Sequence, residues 1–401
     1  MMRSLICVVV ITVLFSVSMM AQGSIGGINA YGYFQSTFYV SKPSISKANN
    51  SFDLQQLNLF FSRNLGSGFS AFVNFELANS FSSSRSWGSF NLEEAWLKYS
   101  YSQELNVKIG QLVPTFNNLN EIKNRTPLLP YVMRPLIYES TYYTMISVAP
   151  FLPERAFVQV YGSKNISDLK LDYAVFGGNS DVTYANSKTG DNWTDGNDTT
   201  SFKMVGGRIG LRGYGAKLGV SSTWDRYRAA IVKDNYGVIK STMFLGNVPR
   251  LRLGIDFSYT GYGFFFESEV ILVNHDVSQA SQDSLNRISQ PVKVPVGVTP
   301  AGPIFATFAS PYGNSFDKSF YYGTLGYEFT DKLYAYVGMS KMHDDFNKVF
   351  DATKIYTIGG GFKPVESVVF KLQYYNMDLG EVPMMGKYTH NLYYCAVSVM
   401  F

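Results

Sequence analysis

Cysteine, histidine and charge are all scarce in this chain. Two cysteines and three histidines in 401 residues leave little for thiol or metal chemistry. His275, His343 and His390 are far apart, and no pair of them shows the ligand spacing of a zinc site. There is no G-x-S-x-G, no P-loop and no dinucleotide fingerprint opening a helix. The sequence therefore offers no catalytic motif and calls for no cofactor. Charged residues make up 16% of the chain, against about 25% in an ordinary soluble domain. The formal net charge of +4 is too small to imply a nucleic-acid partner. Beyond the N-terminus no stretch reaches the length of a transmembrane helix without a charge. The most apolar patch, Phe264–Phe266, is broken at once by Glu267 and Glu269.

The N-terminus itself is informative. Arg3 precedes the apolar run Leu5–Val17, and Ser18–Ala21 ends in a small residue before Gln22. A basic n-region, an h-region and a small-residue cleavage point are the layout of a secretory signal. The alternative is a membrane anchor, but the run falls short of the about 20 residues that cross a bilayer. Residues 1–21 are thus expected to leave as a signal peptide, taking Cys7 with them. Cys395 then stands alone and no intramolecular disulfide is available.

Aromatics reach 16%, mostly Tyr and Phe, alongside 35 glycines. Lipid-facing and lumen-facing positions that alternate, with aromatic girdles at the interfaces, produce this composition. The alternation can be read directly. In 249–259, Leu251, Leu253, Ile255 and Phe257 share one face, against Arg250, Arg252 and Asp256 on the other. In 367–376, Val368, Phe370, Leu372 and Tyr374 oppose Lys371, Gln373 and Tyr375. In 68–78, Phe69, Ala71, Val73, Phe75 and Leu77 oppose Asn74 and Glu76. Period two is a strand's period, and a charge at every second position would ruin a sheet buried on both faces.

The same reading over the whole chain predicts about sixteen strands. They lie near 28–40, 52–63, 68–78, 90–101, 104–110, 154–162, 168–177 and 202–212. The rest lie near 215–224, 250–260, 262–273, 318–329, 332–341, 352–362, 365–377 and 388–401. Short turns and long connections alternate along the series, the long ones being 41–51, 79–89, 111–153, 178–201, 225–249, 274–317, 342–351 and 378–387. A transmembrane up-and-down antiparallel β-barrel, with short periplasmic turns and long extracellular loops, demands that parity. A β-sandwich has no reason to sort its loops. Residues 22–401 are read as one all-β barrel in the outer membrane of a Gram-negative bacterium, its outer face against lipid.

Two stretches add a resemblance. Asn91–Tyr99 (NLEEAWLKY), followed by Val107–Gln111 (VKIGQ) and Pro114, resembles the phosphate-selective porin O/P family and related porins, as does Pro153–Gly162 (PERAFVQVYG). The terminal strand, with Tyr393, Cys395, Val397, Val399 and Phe401 on one face, is similar to the C-terminal signature read by the barrel-assembly machinery. The resemblance implies a sixteen-stranded porin, commonly a homotrimer, passing small hydrophilic solutes passively. It also implies that loop 111–153 folds inward to narrow the pore. Phosphate selectivity does not follow from it.

In such a barrel selectivity comes from charges at the constriction. From the loop the candidates are Glu121, Lys123, Arg125, Arg134, Glu139 and Arg155. From inward strand positions they are Lys98, Lys108, Lys170, Arg208, Arg212, Lys217 and Arg252. Opposing them stand Glu76, Glu94, Asp172, Asp256, Glu267 and Glu269. The basic excess suggests a mild anion preference; the bland alternative is an unselective pore. Pro127, Pro130, Pro135, Tyr138, Tyr142 and Tyr143 read either as an aromatic slide for solute or as packing of the loop on the wall, the second being favoured. Two other functions are weighed. One is a structural or adhesive barrel using long loops such as 274–317. The other is an outer-membrane hydrolase built on Ser340, His343 and Asp344, which strand geometry disfavours because residues three apart point to opposite faces.

Overall fold

A computed structural model describes residues 27–44, 47–79, 89–123, 125–139, 151–180, 182–186, 192–195, 202–232, 243–276, 292–299, 302–308, 315–344, 353–382 and 386–401. The leader expected over residues 1–21 lies outside them. The first strands are β1 (Ile28–Pro43), β2 (Asn49–Gly66), β3 (Phe69–Asn79), β4 (Ser89–Ser100), β5 (Asn106–Leu112), β6 (Ala156–Ile166) and β7 (Leu169–Asn179). A hairpin, β8 (Val182–Asn186) and β9 (Asn192–Asp195), precedes β10 (Lys203–Gly213), β11 (Ala216–Val232), β12 (Met243–Gly261) and β13 (Phe264–Asp276). A second hairpin, β14 (Val292–Thr299) and β15 (Gly302–Phe308), precedes β16 (Ser315–Thr330) and β17 (Leu333–Asp344). The last three are β18 (Lys354–Val365), β19 (Val368–Val382) and β20 (Gly386–Met400).

Sixteen of these form one ring. Every neighbouring pair is antiparallel, β7 joins β10, β13 joins β16, and β1 closes on β20 with Tyr33 opposite Met400 and Pro43 opposite His390. The barrel has no edge to protect. The sixteen strands expected from the sequence are those of the ring, most of them longer than expected. The two hairpins are the addition. They sit in the long connections 178–201 and 274–317, which were expected to be plain loops; β8 runs parallel to β11, and β14–β15 stand apart from the ring.

The sheet is inside-out relative to a soluble protein. Ile209, Leu218, Leu253, Ile255 and Leu372 are exposed at 43–64%, while Arg208, Arg252, Asp256 and Lys371 on the other face are 1–5% exposed. An apolar outer belt on a closed antiparallel barrel is a membrane-spanning surface, and this architecture is that of outer-membrane barrels. Several short turns share one chemistry. Ser67-Gly68, Tyr214-Gly215 and Tyr262-Gly263 all have positive φ at both residues, the two-residue turn whose twist matches paired strands. The long connections join strands at the opposite end of the barrel, the extracellular end in outer-membrane barrels.

Candidate functional site

The connection between β5 and β6 runs over 113–155, two residues later at each end than the 111–153 expected, because β5 continues to Leu112. It does not stand outside the barrel. Its described residues carry two short 3-10 turns, Thr126–Leu128 and Leu136–Tyr138, and Phe116, Leu119, Val132, Leu136 and Phe151 are all completely buried. They pack against inward side chains of β13 and β16 to β20, among them Ile271, Phe320, Tyr336 and Tyr375. In a ring of sixteen, those strands lie across the lumen from β5.

Two anchor points fix the loop. At the first, Glu269 on β13 accepts the N–H of Asn118 at 3.0 Å and of Leu119 at 2.8 Å, while the Tyr138 hydroxyl donates to its other oxygen. Beside it, Ser221 accepts the N–H of Asn117 at 2.9 Å, and Tyr131 donates to Glu267 at 3.2 Å. Burial pushes the Tyr131 and Tyr138 phenols up, so both stay protonated donors. At the second anchor the Lys371 ammonium donates to the carbonyls of Leu129 (2.6 Å), Thr126 (3.0 Å), Pro127 (3.1 Å) and Tyr131 (3.1 Å), and to the Gln35 amide oxygen at 3.2 Å. Gln373 accepts the N–H groups of Val132 and Met133 at 2.7 Å each and donates to the Met133 carbonyl. Val132 also offers its carbonyl to Gln35 and Gln55.

The charges expected at the constriction are largely consumed by one another. Arg208 holds Asp256 through two bonds of 3.1 and 2.6 Å, and Arg212 lies 2.9 Å from Asp172. Asp225 receives Arg250 at 2.8 Å and Arg252 at 3.2 Å. Arg134 lies 3.4 Å from Glu139 and also donates to the Lys123 carbonyl. Lys217 donates to the Asn118 side chain, and Glu94 accepts the Val113 N–H at 3.4 Å. Each guanidinium on β10 and β12 faces a carboxylate one or two strands away. Lys108 is different, with its ammonium 4.8 Å from the Trp96 ring and 5.1 Å from that of Tyr161. Lys98 lies beside it in register, and Lys170 opposite Arg212. Arg125 is exposed and Arg155, just ahead of β6, is half-buried.

Among the described residues, cavities open beside the loop. A cavity of about 340 Å³ is lined by Glu121, Gln159, Tyr161, Arg208, Arg212 and Lys217. A second, of about 780 Å³, is bounded by Tyr31, Tyr33, Phe60, Arg125 and Leu128.

Sequence reasoning missed Lys371, Gln373, Gln35 and Gln55 as site residues. Of the loop aromatics, Tyr131 and Tyr138 are buried against the wall, which favours packing over a solute slide; Tyr142 and Tyr143 lie outside the described residues. The hydrolase candidates are not assembled. Ser340 and Asp344 face inward on β17 with His343 on the opposite face, and Asp344 holds Lys318 at 2.8 Å.

Compared with solved structures, the chain is similar to the outer membrane channel DcaP of Acinetobacter baumannii, with a TM-score of 0.54 at 12% identity over 93% of this chain and 97% of that one. It is similar to OmpF of Salmonella typhi, solved in complex with daunomycin, with a TM-score of 0.55 at 10% identity over 94% and 98% of the two chains. It is also similar to the trimer form of OmpT, an outer membrane protein of Vibrio cholerae, with a TM-score of 0.53 at 10% identity over 94% and 100%. At these identities the likeness establishes the fold. The sequence matches no family model and no curated protein, so the motifs resembling the phosphate-selective porin O/P family stand as short resemblances.

Proposed function

We propose that this barrel is a porin, a passive water-filled channel for small hydrophilic solutes in the outer membrane. The observation that carries the reading is the course of loop 113–155, which crosses the lumen and is hydrogen-bonded to the far wall at Glu269 and Lys371. A loop so placed sets a bore, and charges beside it screen what passes. The polar cavity lined by Arg208, Arg212, Lys217 and Glu121 supports passage of hydrated solutes.

Selectivity in this reading is weak, because most lumen guanidinium groups face carboxylates. The mild anion preference expected from composition would rest on Lys98, Lys108, Lys170 and Arg125. We further propose export through the leader 1–21, insertion by the barrel-assembly machinery through the terminal strand, and assembly as a homotrimer like the trimer form described for OmpT of Vibrio cholerae.

Reconstitution in a planar bilayer tests the reading. Stepwise, ohmic conductance and a small reversal potential in a salt gradient are expected. A folded barrel with no conductance overturns the porin and leaves the structural or adhesive alternative.

A further inference from the structure

The outer face of β17 to β20 is graded in register. One row places Val337, Ile358, Tyr374 and Tyr393 side by side, and the next row up Met339, Tyr356, Asn376 and Asn391. The row above, at the extracellular end, holds Lys341, Lys354, Asp378 and Thr389. All of these point outward, since Met339, Tyr356, Ile358 and Tyr393 are 44–58% exposed while Ser340, Ile355 and Tyr394 between them are buried. Apolar surface therefore gives way to tyrosine and amide, then to ammonium groups, within two steps along each strand. Such a gradient is that of a bilayer interface.

Lys341 and Lys354 are directly opposite one another. Side chains so paired have Cβ atoms about 4.5–5.5 Å apart, and like charges there repel. The nearest carboxylate in the row, Asp378, is engaged elsewhere: it caps the Gly380 N–H at 2.9 Å and lies 3.7 Å from Lys387. Lys42, also outward, rests its ammonium 5.2 Å from the Tyr393 ring. Among the described residues, four lysines thus crowd one sector of the rim against Asp378 and Glu381, the latter opposite Lys387 in register. On the neighbouring sector the rim residues are Asp276 and Asp317, so the positive charge is local.

We propose that this sector binds a phosphorylated lipid headgroup of the outer leaflet, with a phosphate bridging Lys341 and Lys354. Charge complementarity selects an anion. The exposed apolar surface immediately below, including Ile358 at 58% and Leu372 at 64%, selects one that carries acyl chains, so the occupant is a lipid and not free phosphate. A phosphate between the two ammonium groups also removes the repulsion that the register imposes.

The full-length barrel in detergent is titrated with bisphosphorylated lipid A, with dephosphorylated lipid A and with inorganic phosphate, and bound lipid is counted by native mass spectrometry. Only the first is expected to bind, and Lys341→Gln with Lys354→Gln weakens it about thirtyfold. The control is Lys332→Gln with Lys363→Gln, lysines near the periplasmic turns, which leaves binding unchanged. Heat-modifiable migration and single-channel conductance establish that both variants fold. Equal binding of the dephosphorylated lipid, competition by inorganic phosphate at equal concentration, or an equal loss in the control pair would each overturn the proposal.

Discussion

The ammonium of Lys371 lies 2.6 Å from the carbonyl oxygen of Leu129, across the lumen from the strand that launches the loop. It is one of five acceptors around a nitrogen whose side chain is 1% exposed. A lysine nitrogen carries at most three hydrogens, so the five acceptors share them. The loop's backbone is wrapped around one fixed nitrogen.

Lys371→Met therefore removes the wrapping point while keeping most of the volume. Buried carbonyls left without a donor cost about 1–3 kcal/mol each, and the loop's remedy is to move towards water. The expected outcome is a larger and noisier single-channel conductance together with faster proteolysis within 113–155. Unchanged conductance and unchanged digestion would remove Lys371 from the latch.

Gly254 faces the lumen on β12 between Arg252 and Asp256, and Asn117 of the loop fills the notch that it leaves. A Cβ at that position would overlap the Asn117 side chain. Asn117 also has φ of +52°, a conformation glycine adopts without strain. Gly254→Ala is expected to destabilise the barrel by about 1–3 kcal/mol through overpacking, and Asn117→Gly in the same chain to recover most of the loss. Urea midpoints of the three variants decide it. A double variant no better than Gly254→Ala alone would mean that the notch and the asparagine are unrelated.

The wall was legible in the sequence because its code is local. Leu251, Leu253 and Ile255 announce a lipid face and Arg250, Arg252 and Asp256 a lumen face, whatever the rest of the chain does. The hairpins β8–β9 and β14–β15 were not legible. Pro295 and Pro303 interrupt the second, and proline demotes a run as a strand; Val182–Asn186 is too short to show a period. The constriction was half legible. Length and proline content marked the loop, and Glu269 was marked by its charge on an inward face. Lys371 was seen only as an inward polar residue, because its role depends on carbonyls some 240 positions earlier in the chain. Gln35 and Gln373 carry no charge to draw notice.

Asp225 is the counter-ion for both Arg250 and Arg252. Removing one member of a buried ionic group costs about 3–5 kcal/mol, and Asp225→Asn also adds one positive charge to the lumen wall. Reversal potential in a salt gradient is expected to shift towards chloride permeability, with a lower urea midpoint. Asp172→Asn, whose partner Arg212 is half exposed, should shift the potential the same way with much less effect on stability. Should both variants keep the native reversal potential, the wall charges do not govern selectivity.

Glu269 joins two parts of the loop that are 19 residues apart, accepting Leu119 N–H on one oxygen and the Tyr138 hydroxyl on the other. A shared acceptor makes its partners interdependent. Tyr138→Phe and Glu269→Ala should therefore be non-additive. Once Glu269 is gone the Tyr138 hydroxyl has lost its acceptor, so deleting it costs little more, and the coupling energy should fall between about 0.5 and 3 kcal/mol. Tyr374→Phe, whose hydroxyl donates to Asn391 on the outer face of β19 and β20, serves as the comparison and should add to Glu269→Ala almost independently. If Tyr138 proved as additive as Tyr374, the carboxylate would be a filler between the two loop segments and not the joint that holds them, and the loop's position would have to rest on Lys371 and Gln373 alone.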